Sequence, residues 1–365
     1  MTTHLAAVSP AKGQPFELQT RPTPKPGPDE LLIAVKSVAL NPADTIMRDQ
    51  GLFISTYPTV IGFDMSGLVL EIGNNVPATS FRPGITRVAA YAASVWKSCD
   101  PDYGPFQERC LVPWQHAVAL PDEGMSWNSA ATLPVAVQVT LSAWDAMGIP
   151  RMGQITTKNT PEKNEALLIW GASSSVGTMG VQTARLLRED PSSSFAAVYA
   201  TSGSANMRYV SSLGADRVFD YKDPQVVDAI VSAGKEDGLV IRYCFLATGQ
   251  LAPCQAVLKT FLGESQEGQK TIIAKIASAP LVPPDEEVVN GVETIFVMPS
   301  MVEGERLEQF QYWIGAWLRE NLVKGTITPS PEPSVVGKGL GAINAGLDKL
   351  LRGVSCTKLI VEIEE

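Results

Sequence analysis

The residues best placed to do chemistry together lie between Glu165 and Arg188, EALLIWGASSSVGTMGVQTARLLR. An apolar run, Ala166–Trp170, leads into small residues, Gly171-Ala-Ser-Ser-Ser175. Val176-Gly177 and a segment of helical periodicity follow. A strand, a tight turn and a helix need that order. The first backbone N–H groups of a helix have no partner inside it, and the helix dipole adds partial positive charge there. A pyrophosphate fits such a corner when the side chains are small. Ser173, Ser174, Ser175 and Val176 are therefore expected to face phosphates, with Ser174 or Ser175 adding a hydroxyl donor. The G-x-G-x-x-G pattern is absent, since only Gly171 and Gly177 remain. Taken alone, the turn reads equally well as a tight strand–helix joint.

Other chemistries are thinned by composition. The chain has two histidines, His4 and His116, and five scattered cysteines, Cys99, Cys110, Cys244, Cys254 and Cys356, with no C-x-x-C. A His/Cys zinc site or a His-dependent triad would have to draw on that small set. His4 lies in the terminal segment, and His116, in PWQHAVAL, reads as a structural residue at a strand edge. No metal is expected. Odd, scattered thiols fit a reduced, cytoplasmic protein. A net charge of −9, with no basic stripe, argues against nucleic acid. No apolar run approaches the length of a transmembrane helix, and the N-terminus has no secretory pattern, so no membrane is expected.

The elements around the turn decide how it is read. The 365 residues, 45% hydrophobic and 18% charged, suffice for two cores. Up to Leu120 the chain shows short strand patterns, among them Glu30–Leu40, Leu68–Gly73, Thr86–Tyr91 and Gly104–Val112. Gly/Pro turns punctuate them, which suggests a small barrel. Asn41-Pro-Ala-Asp44 breaks the first of these, and a short helix or turn is expected over Thr45–Gly51. Helical patterns run from Asn128 to Met147, and Pro150–Asn164 reads as a surface loop. From Ala166 the chain alternates. Strands are expected at 166–170, 195–200, 217–221, 239–247, 271–277 and 293–298, with helices at 176–188, 205–213, 224–233 and 252–262. This is the doubly wound α/β pattern. The tail carries a helix near 337–351 and a strand at 358–363. The Gly171–Gly177 turn thus becomes the nucleotide turn of a Rossmann-type domain.

In such a domain the end of the second strand reads the adenosine ribose. A carboxylate there selects NAD, and its absence admits the 2′-phosphate of NADP. Here the strand runs into Thr201-Ser-Gly203-Ser204-Ala205-Asn206 and then Arg208, with no carboxylate before Asp216. NADPH is the expected cofactor. The same loop also reads as a polar helix cap with Ser204 as N-cap. Tyr221 packs either on the adenine or ribose or into the core.

The chain resembles the medium-chain dehydrogenase/reductase superfamily, in its zinc-free quinone oxidoreductase and enoyl reductase branch. The motifs that carry this are Val38-Ala-Leu-Asn-Pro-Ala-Asp44, Ile61-Gly-Phe-Asp-Met-Ser-Gly67, Gly104-Pro-Phe-Gln-Glu108, Ala130-Ala-Thr-Leu-Pro134, Gly171–Gly177, Leu213-Gly-Ala-Asp216 and Phe219-Asp-Tyr221. The long loop before the nucleotide strand, with Thr201–Asn206, is most similar to fungal trans-acting enoyl reductases that serve polyketide synthases. The resemblance implies an α/β protein. A GroES-like β-barrel catalytic domain would span 1–135, completed by 326–365, with a Rossmann doubly wound parallel-sheet domain over 136–325 and the ligand in the cleft between them. Cofactor contacts carried over by position are Ala43, Asp44, Thr45, Ser173 to Val176, Gly203, Ser204, Ala205, Asn206, Tyr221, Val354 and Ser355. The helix at Val137–Met147 would line the substrate side. Zinc-dependent relatives carry a Cys near Asn41, a Gly-His-Glu where this chain has Gly62-Phe63-Asp64, and a four-cysteine lobe where it has only Cys99 and Cys110. Ile46 stands where relatives often place a Tyr or Lys that reaches the substrate.

Without metal, the reaction must suit direct hydride delivery. An α,β-unsaturated carbonyl accepts hydride at Cβ, because the enolate spreads the charge onto oxygen; the protein supplies positioning and a donor. The candidate catalytic groups are Asn41, Asp44, Thr45 and Thr140. Asn41 reads either as a donor to that oxygen or as a turn-former before Pro42. Asp44 reads either as a partner of the nicotinamide ribose or a water, or as a helix cap. Phe53, Tyr91, Trp96, Phe296 and Met298 are candidate apolar walls. The expected activity is NADPH-dependent reduction of an enone or enoyl thioester, with a polyketide synthase carrier domain as partner and a monomer favoured over a homodimer. The alternatives are an NADPH:quinone oxidoreductase and a cofactor-binding partner protein without turnover.

Overall fold

The structure, a computed structural model, describes residues 2–121, 124–152, 162–262, 273–285 and 287–363. It divides into two compact units, one of Met1–Gln138 with Ser300–Glu365, the other of Val139–Pro299.

The first unit opens with the hairpin β1 (Thr3–Val8) and β2 (Glu17–Pro22), then β3 (Glu30–Ala39), helix α1 (Pro42–Gln50), β4 (Asp64–Ile72), β5 (Arg87–Tyr91), β6 (Arg109–Pro113) and β7 (Ala117–Ala119). Helices α2 (Trp127–Ala131) and α3 (Leu133–Met147) follow, and the unit boundary falls inside α3. β3 is the hub: it pairs antiparallel with β4 and with β6, and Leu31 to Val35 are almost wholly buried. A strand buried along both faces reads as a continuous apolar run, as LLIAV does. Burying each such side chain is worth about 1.5–3 kcal/mol.

The second unit holds β8 (Glu165–Trp170), α4 (Ser175–Glu189), β9 (Phe195–Ser202), α5 (Met207–Ser212), β10 (Arg217–Asp220), α6 (Val226–Glu236), β11 (Val240–Leu246), α7 (Leu251–Thr260), β12 (Ala274–Ser278) and β13 (Val292–Phe296). The sheet is parallel throughout, in the order β10-β9-β8-β11-β12-β13. In sequence order of its own strands that is 3-2-1-4-5-6, the doubly wound arrangement. The strand order reverses between β8 and β11, and ligands of such sheets bind beyond the strand ends at that point.

The chain returns to the first unit through α8 (Glu303–Phe310), a widened π-helical stretch (Gln311–Leu318) and α9 (Arg319–Lys324). It closes with β14 (Pro333–Lys338), α10 (Ile343–Leu351) and β15 (Lys358–Glu362). β15 pairs antiparallel with β3, so the last strand joins, beside β3, the seven-stranded sheet β14-β15-β3-β4-β5-β7, in which β6 also pairs with β3. No helix among the described residues is long and apolar enough to cross a membrane.

The expected α/β architecture is present, with differences in detail. α1 begins at Pro42, not Thr45: Pro at the first helical position has no N–H to lose and a φ already suited to a helix. The tail helix starts at Ile343, and Gly337-Lys338 belong instead to β14, paired with β15. Of the expected strand over 271–277, residues 271–272 lie outside the described residues, as does the 153–161 part of the expected loop. His116 lies in a short 3-10 turn before β7, not in a strand.

Candidate active site

In the first unit, the register of three strands gathers one polar cluster. Ala39 of β3 stands opposite Asp64 of β4 on one side and Ile360 of β15 on the other. Asn41 follows β3 by two residues, and Lys358 precedes Ile360 by two. All four polar side chains near this corner are buried, with Asp44 and Asp64 fully so and Lys358 only 4% exposed.

Asn41 has extended backbone and caps α1, while Asp44, at the third helical position, accepts the Asn41 backbone N–H on Oδ2 at 2.7 Å. The Asn41 amide is fully used. Its Nδ2 donates to the Ala39 carbonyl (3.2 Å) and to Asp64 Oδ2 (3.0 Å), and its Oδ1 accepts from Lys358 Nζ at 2.5 Å. Lys358 Nζ also pairs with Asp64 Oδ2 at 3.0 Å. Asp64 Oδ1 accepts the Val135 backbone N–H at 2.7 Å, near the start of α3. Thr45 Oγ1 donates to the Pro42 carbonyl at 2.6 Å.

Asp44 is different. Its Oδ1 is buried without a hydrogen-bond partner among the described residues. Burial pushes its carboxyl up to about 7; Asp64 adds to the rise, while the Asn41 N–H and Lys358 oppose it. The phenol of Tyr91, opposite Asp64 across β4 and β5, is pushed well above its usual range by burial and then by the same two aspartates. So Asn41 and Thr45 have committed their hydrogens to the fold, and Asp44 keeps an open oxygen. Ala43 lies beside it in α1. Val354 and Ser355, exposed, sit in the segment that leads from α10 to Lys358.

The second unit carries the nucleotide turn at the reversal of strand order. Gly171 has φ +76, and a Cβ there would lie 2.5 Å from Thr248 Cγ2 and 2.6 Å from its carbonyl oxygen. A Cβ on Gly177 would meet the Gly171 oxygen at 2.3 Å. Both positions therefore admit only glycine. Ser174 is the N-cap of α4: its hydroxyl accepts the Gly177 N–H at 3.1 Å and donates to the Gly171 carbonyl at 2.8 Å. The turn is tied to β9 by Gly171 N–H to Thr201 Oγ1 (3.0 Å) and Ala172 N–H to the Thr201 carbonyl (2.7 Å). Ser175 Oγ is buried with no partner among the described residues. Of the two serines expected to offer a donor, Ser174 is thus consumed by the cap and Ser175 is open. Thr140 Oγ1 donates to the Val176 carbonyl at 3.2 Å, fastening α3 to the first turn of α4.

Gly203 precedes a short 3-10 turn, Ser204–Asn206, and no side-chain cap bond forms there. Ser204 and Ala205 are exposed, as is Arg208, while Asn206 is half-buried. Tyr221 is 47% exposed, and its ring lies 3.7 Å from where a Gly203 Cβ would stand. The ring borders the loop at the end of β9 instead of filling the core. Asp216, the first carboxylate after β9, accepts the Val198 N–H at 2.8 Å and pairs with Arg188. It is spent on the sheet.

Sequence reasoning missed Asp64 and Lys358 as site residues, and also Gln138. Gln138 is 3% exposed on α3, with Nε2 unpartnered among the described residues. Gln138 interrupts an apolar helical stretch, PVAVQV, which is the one local signal of the three; Asp64 and Lys358 are gathered by strand register. Phe53, Tyr91 and Trp96 fall in the first unit, Phe296 and Met298 in the second. Tyr91 packs on Phe310 (4.9 Å between ring centroids), and Trp96 lies under the Arg306 guanidinium at 4.6 Å. His116 stacks on Phe310 at 3.9 Å and is held neutral, its imidazole pushed down to about 3 by burial. No group of three or more His, Cys, Asp or Glu that could hold a metal occurs among the described residues.

A GroES-type sheet with a buried polar corner, and a doubly wound unit whose nucleotide turn is open at Ser175, define a dinucleotide-dependent oxidoreductase. Comparison with known proteins agrees. Residues 27–122 match the alcohol dehydrogenase GroES-like domain. The chain is 39% identical, over 99% of both chains, to the trans-enoyl reductase tndF of Aspergillus flavipes. It is 32% identical to the dehydrogenase orsE of Emericella nidulans, with both chains fully covered. Among solved structures, an alcohol dehydrogenase superfamily protein from Novosphingobium aromaticivorans superposes with TM-score 0.75 at 20% identity, covering 99% of this chain and all of the other. The CurK enoyl reductase does so with TM-score 0.70 at 16% identity, covering 99% of each chain. The chain belongs to the medium-chain dehydrogenase/reductase family, together with fungal trans-enoyl reductases and related dehydrogenases, and its cofactor is a nicotinamide dinucleotide.

Proposed function

We propose that this protein is an NADPH-dependent enoyl reductase. It reduces the C=C bond of an α,β-unsaturated thioester presented by a polyketide synthase carrier domain, without zinc. The observation that carries the reading is the nucleotide turn, closed to any Cβ at Gly171 and Gly177 yet left with one unpartnered hydroxyl, Ser175 Oγ. An orphaned buried hydroxyl is costly unless a ligand satisfies it. Full-length similarity to fungal trans-enoyl reductases supports the reaction class.

When bound, the reduced nicotinamide supplies the hydride. The chain's own residues do the rest. The N–H groups at the start of α4 and Ser175 hold phosphate oxygens. The carboxylate-free loop Gly203–Asn206, with Arg208 exposed beside it and Tyr221 at its edge, receives the 2′-phosphate and adenosine. Asp44 is the catalytic residue of the set with polar capacity left over; Asn41, Thr45 and Thr140 shape the site through the bonds they make to the fold. Ala43, Val354 and Ser355 contact the cofactor by backbone and position. The reading has the protein acting as a cytoplasmic monomer, in keeping with five free cysteines.

The test is a titration of the purified protein with NADPH and NADH, followed by cofactor consumption with an enone, an enoyl thioester and a quinone. The expected result is NADPH binding at least tenfold tighter than NADH and turnover fastest on the thioester. Failure to bind either dinucleotide overturns the reading. Turnover on quinone alone replaces it with the quinone reductase.

A further inference from the structure

The buried corner of the first unit contains two charged residues that no role above requires. Lys358 and Asp64 pair at 3.0 Å with side chains 4% and 0% exposed. Removing an ammonium and a carboxylate from water costs several kcal/mol each, and the pair's own attraction often does no more than offset that. A pair of apolar residues of the same volume would hold β4 to β15 at least as well. What the pair does that apolar residues cannot is act on its polar neighbours.

Its neighbours are Asn41 and Asp44. Lys358 donates to Asn41 Oδ1 and Asp64 accepts from Asn41 Nδ2, so the amide is held in one orientation by a donor on one side and an acceptor on the other. The Asn41 backbone N–H in turn donates to Asp44 Oδ2, which leaves Oδ1 as the cluster's open atom. The charged groups that act on Asp44 are Lys358 of β15 and Asp64 of β4, and Asp44 in turn acts on the buried phenol of Tyr91 of β5. Lys358 and Asp64 have opposite signs and opposite effects on Asp44.

We propose that Lys358 and Asp64 are positioning residues: their hydrogen bonds fix the Asn41 amide, and their opposed charges together set which protonation form of Asp44 the site presents on its open Oδ1. This rests on the reductase reading for its consequence in turnover, but not for the titration itself. With the pair intact, Lys358 pulls the Asp44 carboxyl down and Asp64 pushes it up. Burial then dominates, and the carboxyl remains protonated up to about pH 7. The protonated carboxyl is a donor in a place where the fold offers no acceptor, and so it is available to a ligand oxygen. Above that pH the corner would hold an uncompensated negative charge.

The signs of the charges predict opposite shifts. Lys358→Met removes the positive charge, so the Asp44 titration moves to higher pH. Asp64→Asn removes the negative charge and keeps one acceptor oxygen, enough for the Val135 N–H, so it moves to lower pH. The double variant returns it towards the starting value. Two readouts report it. One is the pH dependence of single-turnover reduction of an enoyl thioester at saturating NADPH, expected to fall through about pH 7. The other needs no cofactor. Because the folded value of Asp44 lies above the unfolded one, its stabilisation is complete below about pH 4 and is lost as pH rises through about 7; the unfolding midpoint should show that loss, and Asp44→Asn should erase it.

Opposite shifts in the single variants, restored in the double, support the inference. Shifts of the same sign, or none, overturn it, as does persistence of the titration in Asp44→Asn. If Lys358→Met does not fold, Asp64→Asn and the double variant still give the sign and its reversal. If the stability titration behaves as stated and no thioester is reduced, the positioning stands and the reductase reading falls.

Discussion

The two polar sites meet the cost of burial in opposite ways. In the first unit the cluster is made of buried charged and amide side chains that bond one another: every side-chain polar atom of Lys358, Asp64 and Asn41 has a partner, and among the described residues of the cluster only Asp44 Oδ1 has none. In the second unit the nucleotide turn has no charged side chain. It is built from backbone, three serines and two glycines whose missing Cβ atoms leave the room. The first site is charged and buried, and so it is expensive to disturb and sensitive to pH. The second offers N–H groups and space, and so it is sensitive to volume and indifferent to pH.

That contrast can be broken from either side. The largest effect is expected from Asp64→Ala, which strands Lys358 as an unpaired buried cation. A loss of about 3–5 kcal/mol is expected, read as a lowered denaturant midpoint with unchanged slope. A loss below about 1 kcal/mol would mean water reaches the corner, and the contrast with the turn would collapse. Next comes Gly177→Val in the turn. Its Cβ would meet the Gly171 oxygen at 2.3 Å, so the turn must open. NADPH affinity should fall by about a hundredfold or more, roughly 3 kcal/mol, while the pH dependence of the first site remains. Unchanged affinity would place the cofactor elsewhere. The smallest effect separates the two serines. Ser174→Ala should cost about 1 kcal/mol of stability through loss of the helix cap, with little change in affinity. Ser175→Ala should leave stability alone and weaken NADPH about tenfold, the scale of one charge-assisted hydrogen bond. The reverse pattern would exchange their roles.

Much of the second unit was legible because its signals are local. The six strands and the helices between them follow from apolar runs and periodicity over a few residues, and the turn follows from a string of small residues in a row. The end of β9 was equally readable, since the absence of a carboxylate over Thr201–Asn206 needs no third dimension. Less of the first unit was legible. Asn41 and Asp44 were recognisable as polar residues flanking Pro42, and each carried two readings: a donor or a turn-former for Asn41, a ribose or water partner or a helix cap for Asp44. The structure shows that the capping roles are real: Asp44 returns its side chain to the Asn41 N–H. It also shows that Asp44 alone has an atom to spare. Lys358 was invisible as a partner because 317 residues separate it from Asn41. The segment 303–324 was not read as a helix, because its pattern passes through a π-helical stretch that breaks the ordinary 3.6-residue periodicity.

The sequence by itself determined the alternating architecture, the small-residue turn between β8 and α4, the glycines that admit no substitute there, and the acid-free loop after β9. All but the glycine requirement are properties of neighbours in the chain; at Gly171 the atom that excludes a Cβ belongs to Thr248. Only the tertiary structure decided which polar atoms are already spent. Ser174 and Ser175 differ by one position and Asn41 and Asp44 by three, yet Ser174 is consumed by a cap and Asn41 by hydrogen bonds to the Lys358–Asp64 pair, while Ser175 Oγ and Asp44 Oδ1 have no partner among the described residues. For the serines the helix cap decides it; for Asn41 and Asp44 it is the register that brings Asp64, Ala39 and Ile360 side by side and carries Lys358 to the same corner. Each polar group has only so many hydrogen bonds to make, and which remain in that corner is settled when the last strand pairs with β3.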